Sequence, residues 1–144
     1  MIRLHGTCVS LAEVGVLLRG PPGAGKSDLA LRLIDGGAEL VADDQVEIEE
    51  RGTELMAGPP ATIAGLLEVR GFGIVRLDYR APVRLGLVID LVPAAKIERM
   101  PEEEVAELLG RPVPRLGLNA WEPSAAAKVR LAVRAQTGRI MRLQ

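Results

Sequence analysis

The segment Gly20-Pro-Pro-Gly-Ala-Gly-Lys-Ser27 constrains the fold of this chain more than any other, because it fits the phosphate-loop pattern G-x-x-x-x-G-K-[ST]. The apolar residues 15–18 precede it and predict a buried strand. After it, Leu29, Leu33 and Ile34 repeat at helical spacing. A strand, a loop and a helix in this order are the context that a phosphate loop requires. The alternative is a turn rich in glycine and proline that only begins a helix.

The residues of this loop have the chemistry to bind a nucleotide. Glycines allow the backbone to curve round a phosphate chain with its N–H groups pointing inward, and the following helix adds the positive end of its dipole. We expect Lys26 to contact the β- and γ-phosphates and the hydroxyl of Ser27 to bind Mg²⁺. Pro21 and Pro22 have no N–H group, so residues 23–27 provide the donors. The predicted nucleotide-binding residues are Gly20, Pro21, Pro22, Gly23, Ala24, Gly25, Lys26 and Ser27.

Composition predicts one soluble domain that spans residues 1–144. A chain of 144 residues can bury a core without a second domain. The net charge of -1 gives no attraction to nucleic acid or to an anionic membrane, and three aromatic residues offer little for stacking on single strands. No apolar run reaches membrane length. The single cysteine, Cys8, excludes an internal disulfide and is typical of a reducing compartment, so we expect a cytoplasmic protein.

Hydrophobic spacing and turn residues predict an α/β fold with a mixed sheet. The predicted helices cover residues 26–34, 101–109 and 123–136. The predicted strands cover residues 7–9, 13–19, 39–42, 45–50, 54–57, 63–69, 73–77 and 83–91.

Two adjacent carboxylates, Asp43 and Asp44, are the second chemical feature. They follow the predicted strand of residues 39–42, and strand ends are where ligands collect in α/β folds. One carboxylate could take the proton of an attacking hydroxyl, and the other could bind Mg²⁺. One alternative is a polar turn between two strands. Another candidate for the metal is Asp90, which ends an apolar strand in the manner of a Walker B aspartate.

Three further features carry charges that a phosphoryl-transfer site can use. Glu68 and Arg70 lie two residues apart before the bend at residues 71–73, so they share one face of a strand. Glu68 could complete a metal site while Arg70 neutralises phosphate, or the two could form an ion pair. His5 is the only histidine, and either an acid–base or a structural role fits it. Arg99 lies between two predicted elements, where it could stabilise a transferring phosphoryl group or be a solvated charge.

Taken in order, these segments resemble one family, the catalytic domain of HPr kinase/phosphorylase. His5-Gly6 comes first, the phosphate loop follows, and Leu40-Val-Ala-Asp-Asp44 comes next. Glu68-Val-Arg-Gly-Phe-Gly-Ile74 is similar to the family signature E-[IV]-R-G-x-G-I. Val113-Pro-Arg-Leu-Gly-Leu-Asn119 is similar to the family segment V-R-P-G-R-N. The resemblance spans nearly the whole chain.

The resemblance implies a P-loop domain related to phosphoenolpyruvate carboxykinase and assembled as a hexamer. It implies a bacterial serine kinase that uses ATP and Mg²⁺ to phosphorylate HPr, a small carrier protein of the phosphotransferase system. It also implies that inorganic phosphate can reverse the reaction. On the matching positions it implies proton transfer at Asp43, phosphate contact at Lys26, metal binding at Ser27, Asp44 and Glu68, and active-site places for His5 and Arg99.

The sequence also departs from the family pattern. Residue 1 starts almost at the catalytic domain, which predicts the compact form that lacks an additional N-terminal domain. Leu116 and Leu118 stand where the family has proline and a second arginine. Two other classes use the same loop, namely small-molecule kinases and nucleotide-binding regulatory switches. The chain has neither the arginine-rich lid of nucleoside kinases nor an Asn-Lys-x-Asp motif for reading a base.

Overall fold

The computed structural model describes residues 1–143, which form two α-helices, a nine-stranded mixed β-sheet and a separate two-stranded hairpin. The helices are α1 (Lys26–Asp35) and α2 (Ala125–Gln136), and short 3-10 turns occur at Ala61–Ile63 and Ala94–Lys96. The strands are β1 (Ile2–His5), β2 (Thr7–Leu11), β3 (Val14–Arg19), β4 (Glu39–Ala42), β5 (Gln45–Arg51), β6 (Glu54–Gly58), β7 (Leu66–Val69), β8 (Gly73–Arg76), β9 (Val83–Leu91), β10 (Glu104–Leu108) and β11 (Arg111–Leu118). The predicted α/β class is confirmed. Neither helix within residues 1–143 is long and apolar enough to cross a bilayer.

Strand β9 is the centre of the sheet because it pairs along both of its edges. Along one edge it runs parallel to β3. Along the other edge its first residues pair with antiparallel β6 and its last residues with parallel β11. Leu87 and Ile89 pack under the helices, whereas Val88 packs in the layer on the opposite face. Both faces of β9 are therefore buried, which explains why its sequence is almost continuously apolar.

Four strands of the sheet end at the same edge. Strands β3, β9 and β11 are mutually parallel, and β4 runs in the direction of β3 because both pair antiparallel with β2. Segments that follow the carboxyl ends of such strands gather at one edge of the sheet. The phosphate loop after β3, the Asp43-Asp44 pair after β4 and the turn after β11 are consequently neighbours.

The core consists of two apolar layers, one on each face of the sheet. Helices α1 and α2 cover one face and bury Leu29, Leu33 and Val129 completely. Each fully buried side chain of this size contributes about 1.5–3 kcal/mol relative to its exposed state. The second layer contains buried residues of β5, β6, β10 and β11 together with residues of β2, β3, β4 and β9. Helix α1 is therefore anchored firmly, and the loop at its start rests on a rigid base.

The predicted helix at residues 101–109 is wrong, because this segment contains strand β10, which pairs antiparallel with β11. Ala106 and Leu108 are buried while their neighbours are exposed, which is the period of two that a strand requires. Leu109 and Gly110 both have positive φ angles, 51° and 75°. Two successive residues of this conformation form a tight hairpin turn. Pro101 and the glutamates that follow it are typical of a helix N-terminus, but pairing with β11 makes the segment a strand.

The other predicted elements keep their type and shift at their ends. Helix α2 begins at Ala125 and not at Pro123, and β7 begins at Leu66 because Ile63 belongs to a 3-10 turn. The sequence pattern does not predict β1 or β11. Strand β1 is a short edge strand in which partly buried and exposed residues alternate, so it carries little apolar signal.

Candidate active site

The phosphate loop takes its shape from two glycines between β3 and α1. Gly23 and Gly25 have φ angles of 83° and 97°, a left-handed conformation that favours glycine. Gly25 is also confined, because a Cβ atom there would lie 2.8 Å from the Cβ atom of Ala120. Gly25 caps α1 without a side-chain hydrogen bond. The N–H groups of the first helical turn therefore remain available to an anion.

Lys26 folds back over the loop that precedes it. Its Nζ atom donates hydrogen bonds to the carbonyl oxygens of Gly20 at 2.6 Å and Pro21 at 3.1 Å. Both acceptors are neutral carbonyls, whereas the oxygens of a phosphate carry negative charge and attract an ammonium group more strongly. An anionic phosphate bound in the loop can therefore draw the ammonium group away from these carbonyls.

Asp43 is a buried carboxylate that joins three parts of the chain, and the residue is only 6% exposed. Its Oδ1 atom accepts hydrogen bonds from the hydroxyls of Ser27 at 2.8 Å and Thr7 at 2.9 Å. Its Oδ2 atom accepts one from the backbone N–H of Glu68 at 3.2 Å. All three donors are neutral. Its negative charge is thus held directly against the loop hydroxyl and is available to a metal ion or a proton.

Sequence reasoning missed Thr7, whose hydroxyl is one of the donors to Asp43. The residue is 1% exposed and opens strand β2, in which the next residues are also buried. A hydroxyl without a partner is costly in such surroundings. The sequence did contain a signal for Thr7, because a threonine at the start of a buried strand needs a polar partner nearby.

Asp44 follows Asp43 directly in the sequence but differs from it in exposure and in hydrogen-bond partners. Its side chain is 75% exposed, and its φ angle of 69° places it in the left-handed region. Its carbonyl oxygen accepts a hydrogen bond from the N–H of Gly6 at 3.1 Å. That bond brings the end of β1 to the acidic pair, and Nδ1 of the exposed His5 lies 4.0 Å from Oδ1 of Asp44. The structure therefore brings His5, Asp43 and Asp44 together, as the predicted site requires.

Glu68 reaches the site through its backbone, while its side chain is exposed. It lies on β7 of the two-stranded β7–β8 hairpin, and Arg70 lies in the turn beyond the strand. No ion pair joins Glu68 and Arg70 in the described chain, so that alternative is not realised. At the tip of the hairpin, Gly71 and Gly73 have positive φ angles, and the exposed Phe72 lies between them.

Asp90, the alternative metal ligand, is neutralised by two arginines. Arg19 donates from Nε at 2.8 Å and from Nη2 at 3.0 Å, and Arg115 donates from Nε at 2.7 Å. Burial raises the pKa of Asp90, but the hydrogen bonds and charges of the two guanidinium groups outweigh burial and hold the pKa below its ordinary value. A carboxylate with two cationic partners is poorly placed to bind a metal ion as well.

Arg99 is the one predicted site residue that the structure leaves apart. It lies in the exposed segment between the Ala94–Lys96 turn and β10. Within residues 1–143, no hydrogen bond or ion pair connects Arg99 to the phosphate loop or to the acidic pair. Proximity in sequence to the ends of strands is therefore insufficient to bring this side chain into contact.

The described residues contain no group of three or more histidine, cysteine, aspartate or glutamate side chains that could hold a metal ion by themselves. The predicted set of Ser27, Asp44 and Glu68 is thus not a ready-made cage. Magnesium bound with a nucleotide ordinarily uses one or two protein groups together with phosphate oxygens and water. The Ser27 hydroxyl beside the Asp43 carboxylate fits that requirement.

The turn after β11 closes the other side of the loop. The indole of Trp121 lies against Gly25, because its Cζ2 and Cε2 atoms are 3.2 Å and 3.4 Å from the position of a Cβ atom on that glycine. Trp121 is nevertheless 62% exposed. From α1, Arg32 donates hydrogen bonds to the carbonyl oxygens of Ala120 and Glu122. The sequence pattern gives no indication of this contact, because it joins residues about 100 positions apart.

Comparisons with known proteins agree on one family. The sequence model of the HPr Serine kinase C-terminal domain matches residues 1–120. A protein of Bordetella avium named HPr kinase/phosphorylase is 38% identical over 91% of this chain and 47% of its own length. A protein of Geobacillus kaustophilus with the same name is 36% identical over 97% of this chain and 49% of its own length. The chain thus spans about half the length of these curated relatives.

The fold also matches a solved structure. The Hpr(Ser) kinase/phosphatase from Coxiella burnetii superimposes with a TM-score of 0.83, covering 96% of this chain and 98% of that one. Its sequence identity of 24% restricts this comparison to the fold. The mixed sheet, the phosphate loop and the two helices therefore form an arrangement that is known from a natural protein.

Proposed function

This chain belongs to the family of the HPr Serine kinase C-terminal domain, and on that premise we propose that it transfers the γ-phosphoryl group of ATP to a serine of the phosphocarrier protein HPr. The observation that carries the proposal is the 2.8 Å hydrogen bond between Ser27 and Asp43. It connects the loop that binds phosphates to a carboxylate able to act on a hydroxyl.

In this proposal the loop holds the nucleotide and its metal. The backbone N–H groups of residues 23–27 and the ammonium group of Lys26 bind the phosphates. Ser27, with an acidic neighbour, binds Mg²⁺, which neutralises charge on the phosphate oxygens when it is present. Asp44 and Glu68 are the proposed further metal-site residues. Their exposed side chains leave them free to turn toward a bound metal.

We assign the general base to Asp43 and the supporting role to Asp44. Asp43 already accepts hydrogen bonds from two hydroxyl groups, which supports its assignment as the acceptor for a serine hydroxyl. Oδ2 of Asp43 accepts one hydrogen bond, from Glu68, so its second lone pair would serve the serine hydroxyl. In the competing assignment the exposed Asp44 is the general base and Asp43 supports the metal. His5, beside Asp44, is proposed to orient that carboxylate, and Arg99 to approach the phosphoryl group when the exposed segment 97–103 moves.

A protein acceptor needs a surface on which to dock, and the β7–β8 hairpin offers one. Phe72 and Ile74 are both exposed near its tip, and Glu68, which pairs with Ile74, donates to Asp43 through its backbone N–H. On α2, Arg134 is exposed, whereas Arg130 donates to the carbonyl oxygen of Arg32. We propose that HPr contacts the hairpin and that Arg134 lies at the edge of this interface.

The remaining family properties enter as part of the same proposal. They are a single catalytic domain over the chain, reversal of the reaction by inorganic phosphate, a hexameric assembly and a cytoplasmic location. Limited proteolysis tests the single domain, and release of pyrophosphate from phosphorylated HPr tests the reversal. Sedimentation tests the hexamer, and fractionation of cells tests the location.

The proposal is tested by incubating the chain with Mg-ATP and HPr and mapping the phosphorylated peptide. Lys26→Ala removes the positioned cation and should lower transfer about 10²–10³-fold while the fold is kept. Lys96→Ala, in an exposed 3-10 turn, is the matched control and should retain transfer.

Three results contradict the proposal, and the last two each indicate a different class of protein. Unchanged transfer by Lys26→Ala would exclude catalysis at the loop. Turnover of a small molecule without a modified serine indicates a small-molecule kinase. Tight ATP binding without any transfer, to HPr or to a small molecule, indicates a regulatory switch.

A further inference from the structure

The exposed indole of Trp121 lies on the phosphate loop, outside the segments that carry the family signature. Its ring edge is in contact with Gly25, and the residue is 62% exposed. The family match ends at residue 120, one position before this side chain. An exposed tryptophan leaves a large apolar ring in water, so its place beside a ligand-binding loop calls for a function.

The indole is held in place by the helix that begins at the loop. Arg32 of α1 donates to the carbonyl oxygens on both sides of Trp121, those of Ala120 and Glu122. The backbone N–H of Trp121 donates to Oδ1 of Asn119 at 2.8 Å. These bonds tie the backbone of the turn to α1 and keep Trp121 next to the loop.

The strand order places this ring opposite the acidic pair. In the sequence β4–β2–β3–β9–β11, the loop follows the central strand β3, Asp43 follows β4 on one side and Trp121 follows β11 on the other. Asp43 marks the side on which a terminal phosphate reacts. The base is at the opposite end of a nucleoside triphosphate, so it leaves the loop away from Asp43 and toward Trp121.

We propose that Trp121 is the platform on which the nucleobase of the bound nucleotide stacks. The inference rests on the proposed function, in that the loop must bind a nucleoside triphosphate. Stacking uses the π face that every base has, and so needs no base-reading motif. It therefore predicts tolerance of different purines, which agrees with the lack of an Asn-Lys-x-Asp motif in this sequence.

The chain has a single tryptophan, so its intrinsic fluorescence reports on this ring alone. Titration with Mg-ATP or Mg-GTP should change the emission of Trp121. Inorganic tripolyphosphate, which has the phosphates without a base, should bind in the loop and leave the emission almost unchanged. Calorimetry run in parallel measures the affinity of each compound without relying on fluorescence.

Substitution supplies a second and independent measurement. Trp121→Ala should weaken ATP binding about 5- to 150-fold, as expected for loss of one base–aromatic stack, and leave tripolyphosphate binding unchanged. Trp121→Phe keeps an aromatic face and should retain most of the affinity. Circular dichroism confirms that each variant is folded.

The outcomes separate this inference from the proposed function. If ATP binds by calorimetry and Trp121→Ala binds it equally well, the stacking platform is wrong and the kinase proposal is untouched. An identical emission change with ATP and tripolyphosphate also overturns the platform, since the ring would then sense only the loop. If neither compound binds the unaltered chain, the proposed function fails and the inference fails with it.

Discussion

Asp43 and Asp90 make an instructive pair, because both are shielded carboxylates at the carboxyl ends of strands that run in the same direction. Asp43 accepts hydrogen bonds from two hydroxyls and one backbone N–H. Asp90 accepts three hydrogen bonds from the guanidinium groups of Arg19 and Arg115. The number of donors is equal, and only their charge differs.

The difference shows that a strand-end aspartate is recognised as a reactive group by its partners and not by its position. Neutral donors fix the orientation of Asp43 and leave its charge to be used by a metal ion or a proton. Cationic donors neutralise the charge of Asp90, and the resulting ion pairs join β3, β9 and β11. From sequence alone both residues fit the same description, that of an acidic residue after an apolar strand.

The largest expected effect is on phosphoryl transfer. Asp43→Asn should lower the rate of transfer from ATP to HPr by about 10²–10⁴-fold, because an amide cannot take the proton of the acceptor hydroxyl. Asp90→Asn should change it by less than about tenfold. Initial rates at saturating ATP measure both, with nucleotide affinity determined separately. Loss of transfer in Asp90→Asn and its retention in Asp43→Asn would reverse the two roles.

Both variants should also lower stability, each for a different physical reason. Asp90→Asn leaves two guanidinium groups without their anion and should lower the free energy of unfolding by about 1.5–3 kcal/mol. Asp43→Asn keeps one acceptor oxygen but puts an NH2 group, which can only donate, among three donors, so one buried donor loses its acceptor and the variant should cost about 1–3 kcal/mol.

Urea unfolding followed by circular dichroism measures both changes in stability. Glu13→Gln serves as the control, since it breaks only the exposed ion pair with Arg80, and should cost about 0.2–1 kcal/mol. A loss in Asp90→Asn no larger than that in Glu13→Gln would contradict the comparison.

Acid should remove the stabilising effect of the Asp90 ion pairs. The pKa of Asp90 in the folded chain lies below its value in the unfolded chain, so the unfolded chain binds the proton more readily. The stabilisation is therefore complete above the unfolded pKa and is lost as the pH falls below about 4 toward the folded pKa. Urea midpoints at pH 7, 5 and 3 should show the gap between the original chain and Asp90→Asn closing with acidity. A gap that widens at pH 3 is the contrary result.

The smallest effect concerns a thiol next to Asp43. Burial raises the pKa of Cys8 to about 12. Cys8 pairs with Ala42, the residue before Asp43, so its alkylation reports on opening of the sheet at the site. Iodoacetamide at pH 8 should scarcely modify the folded chain, and Asp43→Asn should raise the rate only a few-fold. Modification at the rate of a free thiol would show that this edge is open.

The phosphate loop and its helix were predictable because everything that defines them is local. The motif, the strand before it and the spacing of Leu29 and Leu33 lie within a few turns of one another. The segment at residues 101–109 has equally suggestive local signals and forms a strand instead. Its structure depends on pairing with β11, and an alternation of buried Ala106 and Leu108 is too short to reveal that from sequence.

The acidic residues of the site could be predicted from the sequence, but which of them is buried and which is exposed could not. Sequence order alone places Asp43 and Asp44 side by side, yet the chain buries one and exposes the other. Which of the two faces Ser27 is decided by the backbone at Asp44 and by the contact with Glu68, 25 positions away. Contacts over such distances, like that of Trp121 with Gly25, leave no pattern in a single sequence.

The left-handed backbone at Asp44 restricts which residues can occupy this position, whatever their chemistry. Its φ angle of 69° is readily adopted by glycine, asparagine and aspartate, and is unfavourable for other residues. An alanine scan would therefore confuse backbone strain with the loss of a carboxylate, whereas asparagine separates the two. Natural drift at this position should for the same reason favour these three residues, so that losing the charge and keeping the turn is the easiest route by which a relative could become inactive and remain folded.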